Sequence, residues 1–193
     1  VTHLAKAKTL EVKMAGLTFR LSPMSFFQLN LVQAEKLYEK VVSLIKPSKF
    51  VVEAYCGVGA MTLMISAKAE EVVGIESIDA AVKNATENAS LNKIKNVRFV
   101  SGDAAEELTH LSKTKSIDVL VVDPPRSGLD DPMLGTIVKS KIPHLIYVSC
   151  NPSTLAKNLK VLRDYYVIEE ITPFELFTHT PLLETVVSLR LKK

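Results

Sequence analysis

Apolar and polar positions change rhythm repeatedly along this chain, and each change marks an element. From Leu4 to Leu21, short alternating segments flank Ala15-Gly16, the pattern of a β-hairpin. Ser22-Pro23 breaks it, and Phe27, Leu31, Ala34, Leu37, Val41 and Leu44 then recur at helical spacing, which predicts a helix over Phe26–Ile45. From Phe50 onward strands and helices alternate. Strands are expected at Phe50–Tyr55, Glu71–Glu76, Val97–Val100, Ile117–Val122 and Ile142–Ser149. The helices between them run from Gly59 to about Lys68, from Ile78 to about Leu91, briefly after Asp103, over Pro132–Ser140 and from Ser153 to Asp164. Tyr166–Pro173 and Glu184–Leu191 close the chain as β-like segments. Such alternation implies an α/β fold with a mostly parallel sheet covered on both faces by helices.

Composition changes this picture little. At 193 residues the chain makes one large domain, or one domain with a small appendage. With 47% hydrophobic and 23% charged residues, it has the balance of an ordinary globular protein. A net charge of +3 leans weakly towards an anionic partner, because clustering decides binding more than totals do. Two cysteines cannot build a disulfide framework, so a reducing, cytoplasmic compartment is expected. His3, His110, His144 and His179 show no ligand spacing, and no metal is expected. No signal peptide or run of about 20 apolar residues is present, so no membrane role is expected. The opening at Val1, inside a strand-like pattern, reads as a piece of something longer.

Candidate chemistry begins at Glu53-Ala-Tyr-Cys-Gly-Val-Gly59, a glycine turn between a strand and a helix that lets a ligand approach the backbone. Thr62 stands where a dinucleotide fingerprint has its third glycine, which weakens a pyrophosphate reading. Glu76, ending the next strand, is placed to accept hydrogen bonds from ribose hydroxyls, and Asp103, after the third, to meet an adenine amino group. Each of these acids, taken alone, can equally well cap a helix or end a strand. Together with the glycines Gly57 and Gly59 they suit S-adenosylmethionine, since carboxylates repel phosphate and favour a sulfonium cation. Cys56, within the turn, reads as packing.

The second candidate centre joins Asp123-Pro-Pro-Arg126 to Cys150. Rigid prolines can pin a carboxylate over a planar substrate, and Arg126 either binds a phosphate or clamps the loop. Cys150 ends the fifth strand of the alternating series, at the sheet edge where open α/β folds hold ligands. A thiol there is either a small buried hydrophobe or a nucleophile. As a nucleophile beside a methyl donor it adds to carbon 6 of a pyrimidine, and a base then removes the carbon 5 proton. Glu184 is the candidate base and His179 its competitor. Surroundings that promote the thiolate are expected around Cys150.

Asp123-Pro-Pro-Arg-Ser-Gly-Leu129, Val148-Ser-Cys-Asn-Pro-Ser-Thr-Leu155, Phe26-Phe-Gln-Leu-Asn30 and Tyr55-Cys-Gly-Val-Gly59 together resemble the RNA 5-methyluridine methyltransferase family, over about Leu21 to Leu191. The resemblance implies a Rossmann-like class I methyltransferase fold with a seven-stranded sheet, S-adenosylmethionine as cofactor and RNA as partner, ribosomal RNA ahead of transfer RNA. It implies Cys150 as nucleophile, Glu184 as base, and Gln28, Tyr55, Gly57, Glu76 and Asp123 around the cofactor and target base. Phe26, Phe27 and Phe177 are candidates for stacking. Glu53 replaces the family's usual aspartate, and Thr178, Pro181 and Leu182 depart from its pattern before Glu184. The N-terminal β-barrel and central domain that many members of that family carry, and the cluster cysteines of some, have no counterpart in this sequence. Residues 1–21 therefore read as a remnant hairpin and 22–193 as the catalytic domain. The alternatives are a cofactor-binding fragment with little turnover, or an amino-group or cytosine methyltransferase. Arg126 after the prolines opposes amino-group methylation, and Ser149 before the cysteine opposes cytosine.

Overall fold

The computed structural model describes residues 9–23, 25–177, 179–180 and 182–193. Its first element is a two-stranded hairpin, β1 (Leu10–Met14) and β2 (Leu17–Leu21), turning at Ala15 and Gly16 with φ of 51° and 74°. Two successive left-handed residues match the right-handed twist of the flanking strands, so the turn closes the hairpin without splaying it. The part of the expected hairpin before Thr9 lies outside the described residues.

Helix α1 (Leu31–Leu44) leads into β3 (Ser48–Ala54) and α2 (Ala60–Ile65). Then follow β4 (Ala69–Glu76), α3 (Asp79–Leu91), β5 (Val97–Ser101), α4 (Ala104–Thr114) and β6 (Val119–Val122). The chain ends with α5 (Asp131–Ser140), β7 (His144–Ser149), α6 (Pro152–Leu162), β8 (Tyr166–Phe174) and β9 (Glu184–Leu191). Seven strands form one sheet in the order β5-β4-β3-β6-β7-β9-β8, parallel except for β9, which runs antiparallel to both neighbours. The seven-stranded, mostly parallel sheet expected from the sequence is present, with helices on both faces.

Period-2 alternation divides the core between those faces. Phe50, Val52, Leu120 and Tyr147 pack with Leu108, Met133 and Leu162 on one side. Val51, Val121 and Ile146 pack with Leu37, Val41 and Leu63 on the other, joined by Met14, Phe19 and Leu21 of the hairpin. Strands β6 and β7 are buried at every position, which explains the unbroken apolar runs Val119–Val122 and Leu145–Val148.

Several boundaries differ from the expectation, four of them for a reason visible in a single residue. Helix α1 starts at Leu31 rather than Phe26, because Asn30 caps it and accepts the Gln33 N–H at 3.2 Å. Phe27 therefore matches the helical period only by coincidence, and Gln28 lies on a non-helical arm. Strand β6 starts at Val119, since the Asp118 carboxylate accepts the N–H groups of Lys49 and Phe50 at 2.8 and 2.9 Å. Strand β7 starts after Pro143, and α6 begins with Pro152 at its first position behind an Asn151 cap. No helix of the described residues is long and apolar enough to cross a membrane.

The order reverses between β3 and β6. At such a switch point the connections leave on opposite faces and open a crevice beyond the carboxyl ends of the strands. Glu53, Tyr55 and Asp123 all stand there. The two cores make this edge rigid, and Leu108, fully buried on α4, tests that dependence. Leu108→Ala is expected to lower unfolding free energy by about 2–5 kcal/mol. The urea midpoint should fall at unchanged m-value.

Candidate active site

The glycine turn owes its shape to three left-handed residues, Tyr55 (φ 66°), Gly57 (53°) and Gly59 (81°). A Cβ at Gly59 would lie 2.7 Å from the Phe99 ring, so the turn admits only glycine there. At Gly57 the equivalent position faces open space. Glu76, at the tip of β4, pins the turn: one carboxylate oxygen accepts the Gly57 N–H at 3.0 Å and the other the Ile78 N–H at 3.0 Å. Thr62, in place of a third glycine, donates its hydroxyl to Glu53.

Gln28, Tyr38, Glu53, Tyr55, Gly57 and Asp123 line one narrow cleft of about 60 Å³. Phe27 lines it too, its ring 5.5 Å from that of Phe19. Phe26 is at its rim, largely exposed. Asp103 stands in an adjoining open groove of about 510 Å³ with Asp130, Pro132 and Thr136, and its carboxylate caps α4 through the N–H groups of Ala105 and Glu106. The phenol of Tyr55 lies within the field of Asp103 and Asp130. Of the three acids read together from the sequence, Glu53 is in the cleft, Glu76 holds the turn, and Asp103 belongs to the groove.

Burial and mutual repulsion leave this cleft short of positive charge. Glu53 is pushed up to about 8 by burial and by the nearby Asp123 and Glu76 carboxylates, against the Thr62 hydrogen bond. Asp123 is pushed up to about 8 by burial and by Glu184. No lysine or arginine among the described residues offsets either. Tyr38, in α1, is the titratable cleft residue that sequence reading missed. Its phenol is buried among Asp123, Glu53 and Glu184, with the Gln28 side chain as hydrogen-bond neighbour, and is held far above the usual phenol range. A tyrosine beside Leu37 on an apolar helix face carries no signal that separates it from core.

The antiparallel pairing of β7 with β9 creates the second half of the site. Ser149 pairs with Thr185, so Cys150, the residue after β7, comes up against Glu184, the first residue of β9. Glu184 is only 9% exposed, and burial raises its carboxyl. Burial, followed by the charges of Glu184 and Asp123, also raises the Cys150 thiol, and Arg126 only partly opposes them. The expectation that the surroundings of Cys150 promote its thiolate is thus contradicted for the ligand-free protein: the nearest charges are negative. Cys56 is buried, in agreement with a packing role.

Two loops fix these groups. Asn30 donates to the Leu176 carbonyl at 2.8 Å, tying the Gln28 arm to the segment before Glu184. Asn158 accepts the Leu129 N–H and donates to the Leu129 carbonyl, both at 2.9 Å, while the Tyr147 hydroxyl donates to it at 2.8 Å. The Arg126 carbonyl accepts from Asn151 and Thr154, so that residue clamps its loop through its backbone and leaves its exposed side chain facing solvent. His179 is exposed on its loop, and Thr178 and Pro181 lie outside the described residues.

Raised carboxyls make stability pH-dependent with a definite sign. Glu53 and Asp123 bind protons more tightly folded than unfolded, so their contribution is full below about pH 4 and is lost as pH rises towards about 8. Between these limits the ligand-free protein is expected to lose stability by up to about 1.4 kcal/mol per pH unit for each carboxyl. In urea titrations at pH 5 to 8, Glu53→Gln and Asp123→Asn should each flatten that slope. An unchanged slope contradicts this electrostatic picture.

Known proteins of like sequence and shape bear on this site. The model of the family described as tRNA (uracil-5-)-methyltransferase matches residues 4–192. An uncharacterized RNA methyltransferase of Clostridium tetani is 43% identical over 182 residues, covering 93% of this chain and 40% of its own length. One from Listeria monocytogenes is 39% identical over 186 residues, 94% of this chain and 41% of its own. The chain thus spans about 40% of the length of these relatives. A crystal structure of the Pyrococcus abyssi tRNA (uracil-54, C5)-methyltransferase in complex with S-adenosyl-L-homocysteine superposes with a TM-score of 0.84 at 31% identity. The match covers 95% of this chain and 44% of that one. A SAM-dependent methyltransferase from Agrobacterium tumefaciens, with a TM-score of 0.71, 16% identity and coverage of 98% of this chain and 72% of its own, shares the fold alone. With a matched model spanning almost every residue, this chain belongs to the tRNA (uracil-5-)-methyltransferase family.

Proposed function

We propose that this chain transfers a methyl group from S-adenosylmethionine to carbon 5 of a uridine in RNA, with Cys150 as nucleophile and Glu184 as base. The reading rests above all on one observation, the meeting of Cys150 and Glu184 at the β7–β9 strand ends beside a glycine-turn cleft. The cofactor reading is supported by the donor set. Glu53 and Asp123 are buried carboxylates without a cationic partner among the described residues, an arrangement that favours a cation and repels phosphate. Gln28, Glu53, Tyr55, Gly57, Gly59 and Asp123 would hold the donor, with Glu76 at its ribose and Asp103 at its adenine. When bound, S-adenosylmethionine supplies an electrophilic methyl group on a positively charged sulfur.

The residues divide the reaction as follows. Cys150, as thiolate, adds to carbon 6 of the uracil and moves an electron pair through carbon 5 onto the carbon 4 carbonyl. Carbon 5 of that enolate accepts the methyl group. Glu184, ionised, removes the carbon 5 proton, and the returning pair restores the double bond and expels the Cys150 sulfur. The raised thiol gives an order to these events. A cation in the cleft offsets the repulsion of Asp123 and Glu184, so Cys150 ionises more readily once the donor is in place. The target base has to leave its stack to reach Cys150, with Phe27 and the exposed Arg126 as the groups at hand for base and phosphate.

The RNA is left as a uridine-containing RNA. The resemblance puts ribosomal RNA ahead of transfer RNA, whereas the family description and the Pyrococcus relative both name transfer RNA. A second reading is favoured by the span of the chain, about 40% of its curated relatives. On that reading this segment binds the donor and turns RNA over slowly. Single-turnover methylation at excess protein, read by nucleoside mass spectrometry, separates the two. Cys150→Ala should lower formation of 5-methyluridine at least about a thousandfold while S-adenosylhomocysteine still binds. Glu184→Gln should stall after methyl transfer and accumulate a protein–RNA adduct. Full methylation by Cys150→Ala overturns the assignment.

A further inference from the structure

Strand β2 pairs with β1 along one edge, which leaves the N–H groups of Thr18, Arg20 and Ser22 pointing from the other. Asn84 and Asn88 of α3 and Asn92, its C-cap, spaced four residues apart, meet them. Asn92 accepts the Thr18 N–H at 2.9 Å and donates to the Thr18 carbonyl at 2.7 Å. Asn88 accepts the Arg20 N–H at 2.7 Å, and Asn84 accepts the Ser22 N–H at 3.1 Å. The match has a geometric cause: four helical residues advance about 6 Å and two strand residues about 6.6 Å, so side-chain amides on one helix face keep step with alternate strand donors. Asn84 also accepts the Ser22 and Ser25 hydroxyls at 2.9 and 2.6 Å, anchoring the arm that leads to Phe27 and Gln28.

Asn88 differs from its neighbours on the ladder. It is fully buried, and its amide nitrogen donates to the Val58 carbonyl at 3.2 Å, inside the glycine turn. One side chain therefore holds the hairpin with its oxygen and the turn with its nitrogen. Helix α3 itself begins just past Glu76, whose carboxylate holds the same turn at Gly57. The arm and the turn, two walls of the cleft, and the β4 tip that pins the turn thus converge on one helix.

We propose that Asn88 is a positioning residue for the donor site, registering the Gly57–Gly59 turn against the Gln28 arm through the asparagine ladder of α3. The proposal rests on the reading of the cleft as an S-adenosylmethionine site, and it names residues outside that cleft as determinants of its affinity. Asn92 provides the internal control: its side chain supports the same hairpin with two hydrogen bonds, donates a third to the Asn88 carbonyl, and does not reach the turn.

The test measures S-adenosylhomocysteine binding by calorimetry on the 193-residue chain, together with the amide resonances of Gly57 and Gly59. Asn88→Ala is expected to weaken binding about tenfold, equivalent to about 1.4 kcal/mol, and to shift both resonances. Asn92→Ala should lower the melting temperature comparably yet leave affinity within twofold and both resonances in place. Asn88→Asp keeps the acceptor for Arg20 and removes the donor to Val58; it should weaken binding with the hairpin bond intact, and it serves if the alanine variant does not fold. Equal losses in the Asn88 and Asn92 variants, or unchanged affinity in both Asn88 variants, overturn the proposal. If the wild-type chain binds no S-adenosylhomocysteine, the cofactor reading fails instead. The glycine resonances then decide the ladder's role alone: a shift confined to the Asn88 variants supports it, and no shift overturns it.

Discussion

Strand β9 runs against the direction of the rest of the central sheet, between β7 and β8, and the reactive half of the site depends on that reversal. A parallel strand in its place would bring the carboxyl end of β9, not its beginning, to the ligand edge. Antiparallel pairing with Ser149 opposite Thr185 brings the first residue of β9 beside the residue that follows β7. Both faces of β9 are buried, with Val187 and Leu189 in one core and Val186 in the other, so a slip by one residue would exchange the side chains that each core was packed around. Neither Cys150 nor Glu184 would mean much alone. A free thiol is more often packing, and an acid at a strand end is more often solvated.

The same edge is electrostatically one-sided. Glu53, Asp123 and Glu184 surround the Tyr38 phenol, and all three carboxyls are raised. Proteins meet such crowding by holding protons, which keeps the cost of burying like charges down. A ligand cation reverses the balance by allowing these acids to ionise. The raised Cys150 thiol belongs to the same account, since it is suppressed by the acids that a cation would offset. An expectation of an activated thiolate, framed on the cysteine alone, misses this because it ignores two acids from other strands.

Much of the fold was legible because β6 and the middle of β7 are apolar runs and strands alternate with helices. The errors fall where a single side chain overrides periodicity. Phe27 fits a helical pattern, yet Asn30 caps α1 behind it and frees the arm carrying Gln28. Among the site residues, Cys150, Asp123 and the glycine turn announce themselves by motif. Tyr38 does not, because its role arises from what β3, β6 and β9 bring around it. The asparagines Asn84, Asn88, Asn92 and Asn158 were equally silent, since a polar residue on a helix ordinarily faces water. Here each meets a backbone group that long-range packing presents to it.

The pivotal event of the proposed route is a covalent bond between Cys150 and the base it modifies. It is tested most directly by incubating the chain with S-adenosylmethionine and RNA containing 5-fluorouridine, whose fluorine at carbon 5 cannot be removed as a proton. Intact-mass measurement followed by peptide mapping should find protein joined to methylated RNA through the peptide bearing Cys150. Methyl transfer to ordinary uridine without any such adduct would contradict the claim.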